Sequence, residues 1–250
     1  VAVHTRSSDE LNGGGGRIDG GSRGGEAGRT GGTGRMGGAG RIAAALAAPW
    51  NEAERQRVRL LLRQERPAVM HVHNTFPLLS PAVFRAARGT GAATVLTLHN
   101  YRTYCAAGVP LRAGQPCTEC LDRHSSLPAL RWGCYRHSRL ATLPAALMVA
   151  LHRRLGTWRR DVDAFIALTG FQRDRLTAAG LPAEKVHVKP HFPEGAPAAP
   201  VPWAERTGGA VCLGRLSHEK GVAVLVEAWA RLGAAAPPLE IVGDGPDRAA

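Results

Sequence analysis

The amino-acid sequence predicts an α/β fold that is built on parallel sheets. Short apolar runs alternate along the chain with longer segments of helical periodicity, which is the pattern of strand–helix–strand units. Hydrophobic residues make up 44% of the 250 positions, so the chain can form one large or two small cores and is not globally disordered. No apolar run reaches the roughly 18–20 residues that a membrane-spanning helix needs.

Local signals place the elements in order. Asn51 is expected to cap a helix that Pro67 ends, and Ser80 followed by Pro81 is a typical helix start. Helices are predicted to begin near Phe171, after the third strand, and near Gly221, after the fifth. The predicted strands are residues 68–72, 94–98, 162–168, 185–189, 210–213 and 239–242.

Composition divides the chain into four regions. Residues 1–40 are predicted to be a flexible, glycine-rich segment of low complexity, because 15 of the 31 glycines lie between positions 12 and 40. The other regions are an α/β domain at 41–192 with a cysteine-rich insertion at about 101–137, a proline-rich linker at 193–207, and the start of a second α/β domain at 208–250. The chain lacks Met at position 1 and stops just after a strand, which indicates a piece truncated at both ends.

The chain is strongly basic, with a net charge of +12, and all but three of its 32 basic residues are arginine. This balance suits phosphorylated or membrane-bound partners. We do not expect a nucleic-acid partner, because such an arginine bias is typical of genome composition and aromatic residues make up only 5% of the chain. The start shows no signal-peptide pattern, so the expected location is the reducing cytoplasm.

Glycines and polar residues directly follow four of the predicted strands. They are His73 and Asn74, His99 and Asn100, Gly214 and Arg215, and Gly243, Asp244 and Gly245. Ligands of open parallel sheets bind beyond the carboxyl ends of the strands, although any single one of these segments could be an ordinary turn. Arg215 and Lys220 flank a turn that enters a helix, and such a pair of cations suits a diphosphate.

The motifs resemble those of a known enzyme family. The run GRLSHEKG at 214–221, followed by an amphipathic helix and LEIVGDGP, is similar to the donor-binding start of the second domain in family 4 glycosyltransferases of the group 1 type. These enzymes have the GT-B architecture of two facing Rossmann-like domains. The upstream runs HVHNTFPLLSPAVF, TVLTLHNYR, DAFIALTGFQRDRL and KVHVKPHF resemble their acceptor-side domain, so the resemblance covers about residues 41–250.

The resemblance implies a retaining hexosyl transfer from a nucleotide diphosphate sugar to the hydroxyl of a saccharide or lipid-linked saccharide, in polysaccharide or glycolipid synthesis. No cofactor is required for that chemistry. Arg215 and Lys220 would bind the diphosphate, Gly214 would allow its close approach, and His99 would lie at the reacting sugar as the catalytic residue. The remaining pocket residues would be His73, Asn74, Asn100, Gly243, Asp244 and Gly245.

Two parts of the family pattern are missing from these 250 residues. The family's E-x7-E pair, which contacts the donor, is absent, and so is its first strand with the glycine-rich loop that follows. We therefore expect the chain by itself to be inactive.

Four cysteines form the pattern C-x11-C-x2-C-x13-C. They are Cys105, Cys117, Cys120 and Cys134. Four thiolates with one close pair are compatible with a structural zinc ion in a loop that has little core of its own. An iron–sulfur cluster or disulfides would use the same residues, and four unlinked thiols remain the plain alternative. The fifth cysteine, Cys212, lies in a predicted strand and is expected in the core.

Leucines recur at every fourth position from Leu143 to Leu155 and are bounded by arginines. This pattern predicts a helix whose leucines face the core, with docking on the anionic inner face of the membrane as the functional alternative.

Two other protein classes stay open for the function of the chain. One is a non-catalytic, zinc-stapled protein that binds nucleic acid or an acidic polymer, and the other is a different nucleotide-using enzyme such as a dehydrogenase. For the latter, residues 32–37 match the dinucleotide fingerprint formally, but no apolar strand precedes them.

Overall fold

The computed structural model describes residues 3–6, 38–192, 199, 201–206 and 208–249. The chain divides into two compact units, a larger one formed by Gly31–Glu194 and a smaller one formed by Val1–Thr30 with Gly195–Ala250. Most of the predicted glycine-rich segment 1–40 and most of the predicted linker 193–207 lie outside the described residues.

Strands and helices alternate through much of the chain, as the sequence predicts. The strands are β1 (Val3–Arg6), β2 (Val69–Val72), β3 (Ala93–Leu98), β4 (Leu111–Arg112), β5 (Gln115–Pro116), β6 (Ala164–Ala167), β7 (Val186–Val188), β8 (Ala210–Leu213) and β9 (Leu239–Val242). The α-helices are α1 (Gly38–Ala47), α2 (Glu52–Glu65), α3 (Glu119–Asp122), α4 (Leu127–Trp132), α5 (Arg139–Arg154), α6 (Thr157–Arg160), α7 (Gly170–Ala178) and α8 (Val222–Leu232).

The larger unit is built on a parallel sheet with the strand order β2-β3-β6-β7. All four strands therefore end at the same edge of the sheet. The chain passes from β3 to β6 through residues 99–163, which contain the antiparallel β4–β5 hairpin and the helices α3 to α6. The predicted parallel α/β class is confirmed.

Aromatic and aliphatic side chains fill the core of the larger unit. Phe165 on β6 and Leu176 on α7 are completely buried, and Phe84 and Leu98 are nearly so. Each such side chain contributes about 1.5–3 kcal/mol when it leaves water. This core fixes the strands whose ends carry the candidate site.

The helix signals predicted around Asn51 are confirmed. The Asn51 side chain accepts a hydrogen bond from the backbone N–H of Glu54 at 3.1 Å, and Arg66 takes a left-handed conformation just before Pro67. Ser80 also caps its helix, but Pro81–Ala87 is a 3-10 helix. Six of its seven residues are buried, so tertiary packing rather than helix propensity determines its geometry.

Helix α5 does not use its leucines to pack against the core. Leu143 and Leu147 are 40% and 50% exposed, whereas the buried face carries Ala145, Ala146 and Val149. The prediction that the leucines face the core is wrong for Leu143 and Leu147, because other side chains, among them Met148 and His152, form the buried face. None of the helices in the described ranges is both long and apolar enough to cross a membrane.

The smaller unit contains a second parallel sheet with the strand order β1-β9-β8. The sequence predicted β8, β9 and α8, and these pack through Leu216, Val222, Leu239 and Ile241. It did not predict β1, which is separated by more than 200 residues from its partner β9.

Candidate functional site

Four histidines gather at the carboxyl edge of the larger sheet. We call His71, His73, His99 and His191 the histidine edge. His73 follows β2 and His99 follows the neighbouring β3, and His73 Nδ1 lies 2.9 Å from His99 Nε2. One of these nitrogens donates and the other accepts, so the pair shares a single hydrogen bond when both rings are neutral.

The other two histidines extend this contact to both sides. The ring of His71 lies 4.4 Å from that of His73, and its Nε2 is 2.8 Å from Thr97 Oγ1. His191 stacks on His99 with ring centres 5.5 Å apart. The sequence did not identify His191 as a site residue, although its position just past β7 at the same sheet edge is a signal that could have found it.

Electrostatics favours the neutral form of two of these imidazoles, His71 and His99. Loss of hydration lowers the pKa of His99 from its ordinary value, and the neighbouring His73 and His191 lower it further. The pKa of His71 is lowered by the same loss of hydration and by His73 and Lys189. A neutral imidazole can both donate and accept a hydrogen bond, which suits contact with a sugar hydroxyl.

The two predicted asparagines support the loops beside these histidines. Asn74 Oδ1 accepts a hydrogen bond from the backbone N–H of Phe76, and Asn100 Oδ1 accepts one from that of Arg102. Both asparagines line a cavity of about 40 Å³ together with His73 and His99. A second cavity, of about 160 Å³, lies between His73, Lys189 and His191.

An apolar cavity of about 440 Å³ lies between α1 and α5. Its walls include Ile42, Ala48, Phe76 and Pro144, with the cationic Arg136 beside them. Phe76 is only two residues beyond Asn74, so this cavity adjoins the loop that leaves the histidine edge.

In the smaller unit, the loops after β8 and β9 run side by side. Gly214 N–H donates to the Val242 carbonyl at 3.0 Å, and Leu216 N–H donates to the Asp244 carbonyl at 2.9 Å. A Cβ atom at Gly243 would lie 1.8 Å from the Gly214 oxygen. Only glycine fits this close approach, and the structure thereby brings together the predicted Gly214, Gly243, Asp244 and Gly245.

The predicted cations lie on the same side of this unit. We call residues 214–221 the cationic loop. Arg215 and Lys220 are both exposed, Arg215 before and Lys220 at the end of the 3-10 turn His218–Lys220. The turn leads into α8 through Gly221, whose φ of +69° is left-handed. Arg215 forms an ion pair with Glu219, whose pKa is lowered, chiefly by hydrogen bonding to its own backbone N–H. The i, i+4 spacing of Arg215 and Glu219 is the signal in the sequence by which this pair could have been predicted.

All four predicted cysteines line one cavity of about 20 Å³ in the larger unit. Cys105 and Cys120 are buried and Cys117 and Cys134 half-buried, and all are free thiols. Burial raises the pKa of Cys120 to about 12. Cys212 is half-buried in β8 of the other unit and packs against the core there.

A family model described as a glycosyl transferase 4-like domain matches residues 20–191. The matched range is more than half of the chain. It includes the whole sheet of the larger unit, all four members of the histidine edge, and the four cysteines. A search of the curated proteins found no match, and neither did a search of the solved structures. Because the family-model match covers more than half of the chain, the chain belongs to the glycosyl transferase 4-like family of GT-B glycosyltransferases, whose general role is glycosyl transfer.

Proposed function

We propose that the chain acts in a retaining transfer of a hexosyl group from a nucleotide diphosphate sugar to a hydroxyl acceptor. The observation that carries this proposal is the cationic loop, where two exposed cations precede the start of α8 next to two closely apposed glycine-containing turns. The histidine edge supports it from the larger unit by offering neutral hydrogen-bonding groups.

The cationic loop suits the diphosphate of the donor. Arg215 can bind two phosphate oxygens with its planar guanidinium, and Lys220 adds a mobile point charge. The first N–H groups of the eleven-residue α8 favour an anion at the same place. The diphosphate would replace Glu219 as the partner of Arg215, and both cations would stabilise the charge on the leaving nucleotide without a bound divalent metal.

His99 suits the reacting sugar. Its Nε2 is engaged by His73, so its Nδ1 is the nitrogen that would contact a sugar or acceptor hydroxyl. Asn74 and Asn100 shape the turns on which these histidines lie, and they would define the acceptor side of the pocket.

A lipid-linked saccharide is the acceptor that the larger unit favours. The apolar cavity between α1 and α5 can take a hydrocarbon chain, and Leu140, Leu143 and Leu147 are exposed along α5 near it. Arg136 and Arg139 would face anionic headgroups at the cytoplasmic face of a membrane. This arrangement favours glycolipid or polysaccharide synthesis by a peripheral enzyme.

Nucleotide binding tests the proposal directly. We expect calorimetry with UDP and with GDP to show binding of at least one of them, and Lys220→Ala and Arg215→Ala to weaken it about 10- to 100-fold, since a hydrogen bond to a charged group contributes about 1.5–3 kcal/mol. Arg231→Ala is the matched control, because Arg231 is an exposed arginine of α8 that is also paired with a glutamate four residues away, Glu227. Equal losses in all three variants, or none, would reject the cationic loop as the donor site.

A further inference from the structure

The cysteine-rich insertion brings four thiols from separate elements to one point. Cys105 ends a turn after β3, Cys117 follows β5, Cys120 lies in α3, and Cys134 lies just beyond α4. All four line the same small cavity although 29 positions separate the first from the last. A hydrophobic core requires no such convergence of one residue type.

The insertion has little core of its own, although Tyr104, Cys105 and Leu121 pack into the core of the larger unit. Its strands have two residues each and its helices four and six, and its own buried cluster consists of Ala106, Cys120 and Ala129 with two alanines of α5. Alanine side chains bury little apolar area, so they contribute little stability. A segment of this kind gains most from a covalent or metal crosslink.

Two arginines lie close to the cysteines, Arg112 in the lining of the cavity and Arg102 near Cys105. The Arg102 guanidinium donates to the carbonyls of Ala106 and Ala107, which directly follow Cys105, and stacks on Phe76. Within the described ranges, no carboxylate lies within ion-pair distance of Arg102. Arg112, which lines the cavity, reaches its closest carboxylate, Glu119, only at 3.9 Å. Four thiolates around a divalent ion carry a net charge of −2, which would balance both arginines.

We propose that Cys105, Cys117, Cys120 and Cys134 bind one structural zinc ion. Among the described residues, no three histidine, cysteine or acidic side chains yet stand in the geometry of a metal site. Binding therefore requires the four sulfurs to turn into the cavity and to close to about 2.3 Å from the ion. Four protons leave the thiols as four Zn–S bonds form, and no position stays open for water. The ion would stabilise the conformation of the segment that carries Asn100 and Arg102 beside the histidine edge.

Metal analysis of the whole chain tests this site independently of glycosyl transfer. We expect mass spectrometry of protein purified in reducing buffer without chelator to find about one zinc per chain. Cys117→Ser should lose the metal, whereas Cys212→Ser, the matched control from the smaller unit, should keep it. Absence of zinc from the wild type, retention in Cys117→Ser, or iron with visible absorption in its place would overturn the proposal.

Two further measurements apply if Cys117→Ser fails to fold. Thiol titration of the denatured, chelated wild type should count all five cysteines, and a lower count would show disulfides instead. Removal of zinc by a chelator should lower the thermal midpoint of the wild type, and an unchanged midpoint would contradict a structural role. Nucleotide binding by the wild type reports separately on the donor proposal, so the two can fail independently.

Discussion

The histidine edge and the cationic loop occupy the same position on two parallel sheets but offer opposite chemistry. At the histidine edge, imidazole rings hydrogen-bond and stack on one another, and loss of hydration lowers the pKa of His71 and His99. In the cationic loop, glycines bring two backbones into contact and two permanent cations face water. The ends of parallel strands are thus general positions for a site, and the residues placed there determine the ligand class.

The histidine edge and the cationic loop differ because their proposed ligands differ in charge. A sugar hydroxyl is neutral and needs donors and acceptors at fixed positions, which histidines held by their neighbours provide. A diphosphate carries fixed negative charge and is bound by cations, backbone N–H groups and close backbone approach. The properties of the histidine edge should therefore depend on pH, whereas ligand binding at the cationic loop should depend on the glycines that bring the two backbones together.

The largest expected effect is at Gly243. In Gly243→Ala, the new Cβ lies too close to the Gly214 oxygen, so the loops after β8 and β9 must separate. We expect a cost of about 1–3 kcal/mol, measured as about 10- to 100-fold weaker nucleotide binding in calorimetry. Gly208→Ala is the control, because a Cβ there meets no atom within 4 Å. Unchanged binding in Gly243→Ala would show that the glycine contact is irrelevant to the donor.

The second effect is a loss of stability in acid that originates in the larger unit. His152 is completely buried between Thr157 and the Pro49 carbonyl, and burial lowers its pKa to about 4. The unfolded chain takes up a proton near pH 6.5, so the stabilisation is complete above that pH and is lost as the pH falls towards 4. From pH 7 to 5 we expect the free energy of unfolding to drop by about 2 kcal/mol.

Urea titrations at both pH values measure this drop. His152→Gln should remove most of the pH dependence, while the exposed His187→Gln should keep it. If His152→Gln retains the full dependence, the acid sensitivity comes from elsewhere, with the histidine edge as the next source to test.

Much of the fold could be predicted from the sequence, because its signals are local. Strand β9 was predicted with its observed bounds from an apolar run, and the cap at Asn51 from residues three positions apart. The convergence of His73 with His99 also follows locally, since each residue directly follows a strand of a parallel sheet. The pattern of the four cysteines is likewise visible in the sequence, and the structure places them around one cavity.

The features that could not be predicted depend on contacts between distant residues. The alanine face of α5 is buried because of the elements that surround it, which no periodicity of leucines reveals. The stacking of His191 on His99 also depends on β7 being placed beside β6, although the position of His191 just past a predicted strand is visible in the sequence. Strand β1 pairs with β9 across almost the whole length of the chain.

A smaller effect is expected within the histidine edge, on the pKa of His99. His73 lowers the pKa of His99, so in His73→Ala that pKa should rise towards its ordinary value. The direction is upward because the variant lacks the neighbouring ring whose positive charge opposes protonation of His99. A proton NMR titration of His99 measures the shift, with His187→Ala as the control because His187 lies outside the edge. An unchanged pKa in His73→Ala would show that the two rings act separately.

The smallest expected effect concerns the exposed leucines of α5, which should contact lipid if the acceptor is lipid-linked. Leu143→Glu and Leu147→Glu should each reduce retention on vesicles that contain anionic phospholipid by a few-fold, since each places a charge where a leucine would enter the headgroup region. Co-flotation at low salt measures this retention. Leu61→Glu is the matched control, because Leu61 is equally exposed on α2. If Leu61→Glu loses as much retention as the α5 variants, the vesicles bind the basic surface as a whole. The apolar cavity would then have no special connection to the acceptor, and a saccharide without lipid would become the better candidate.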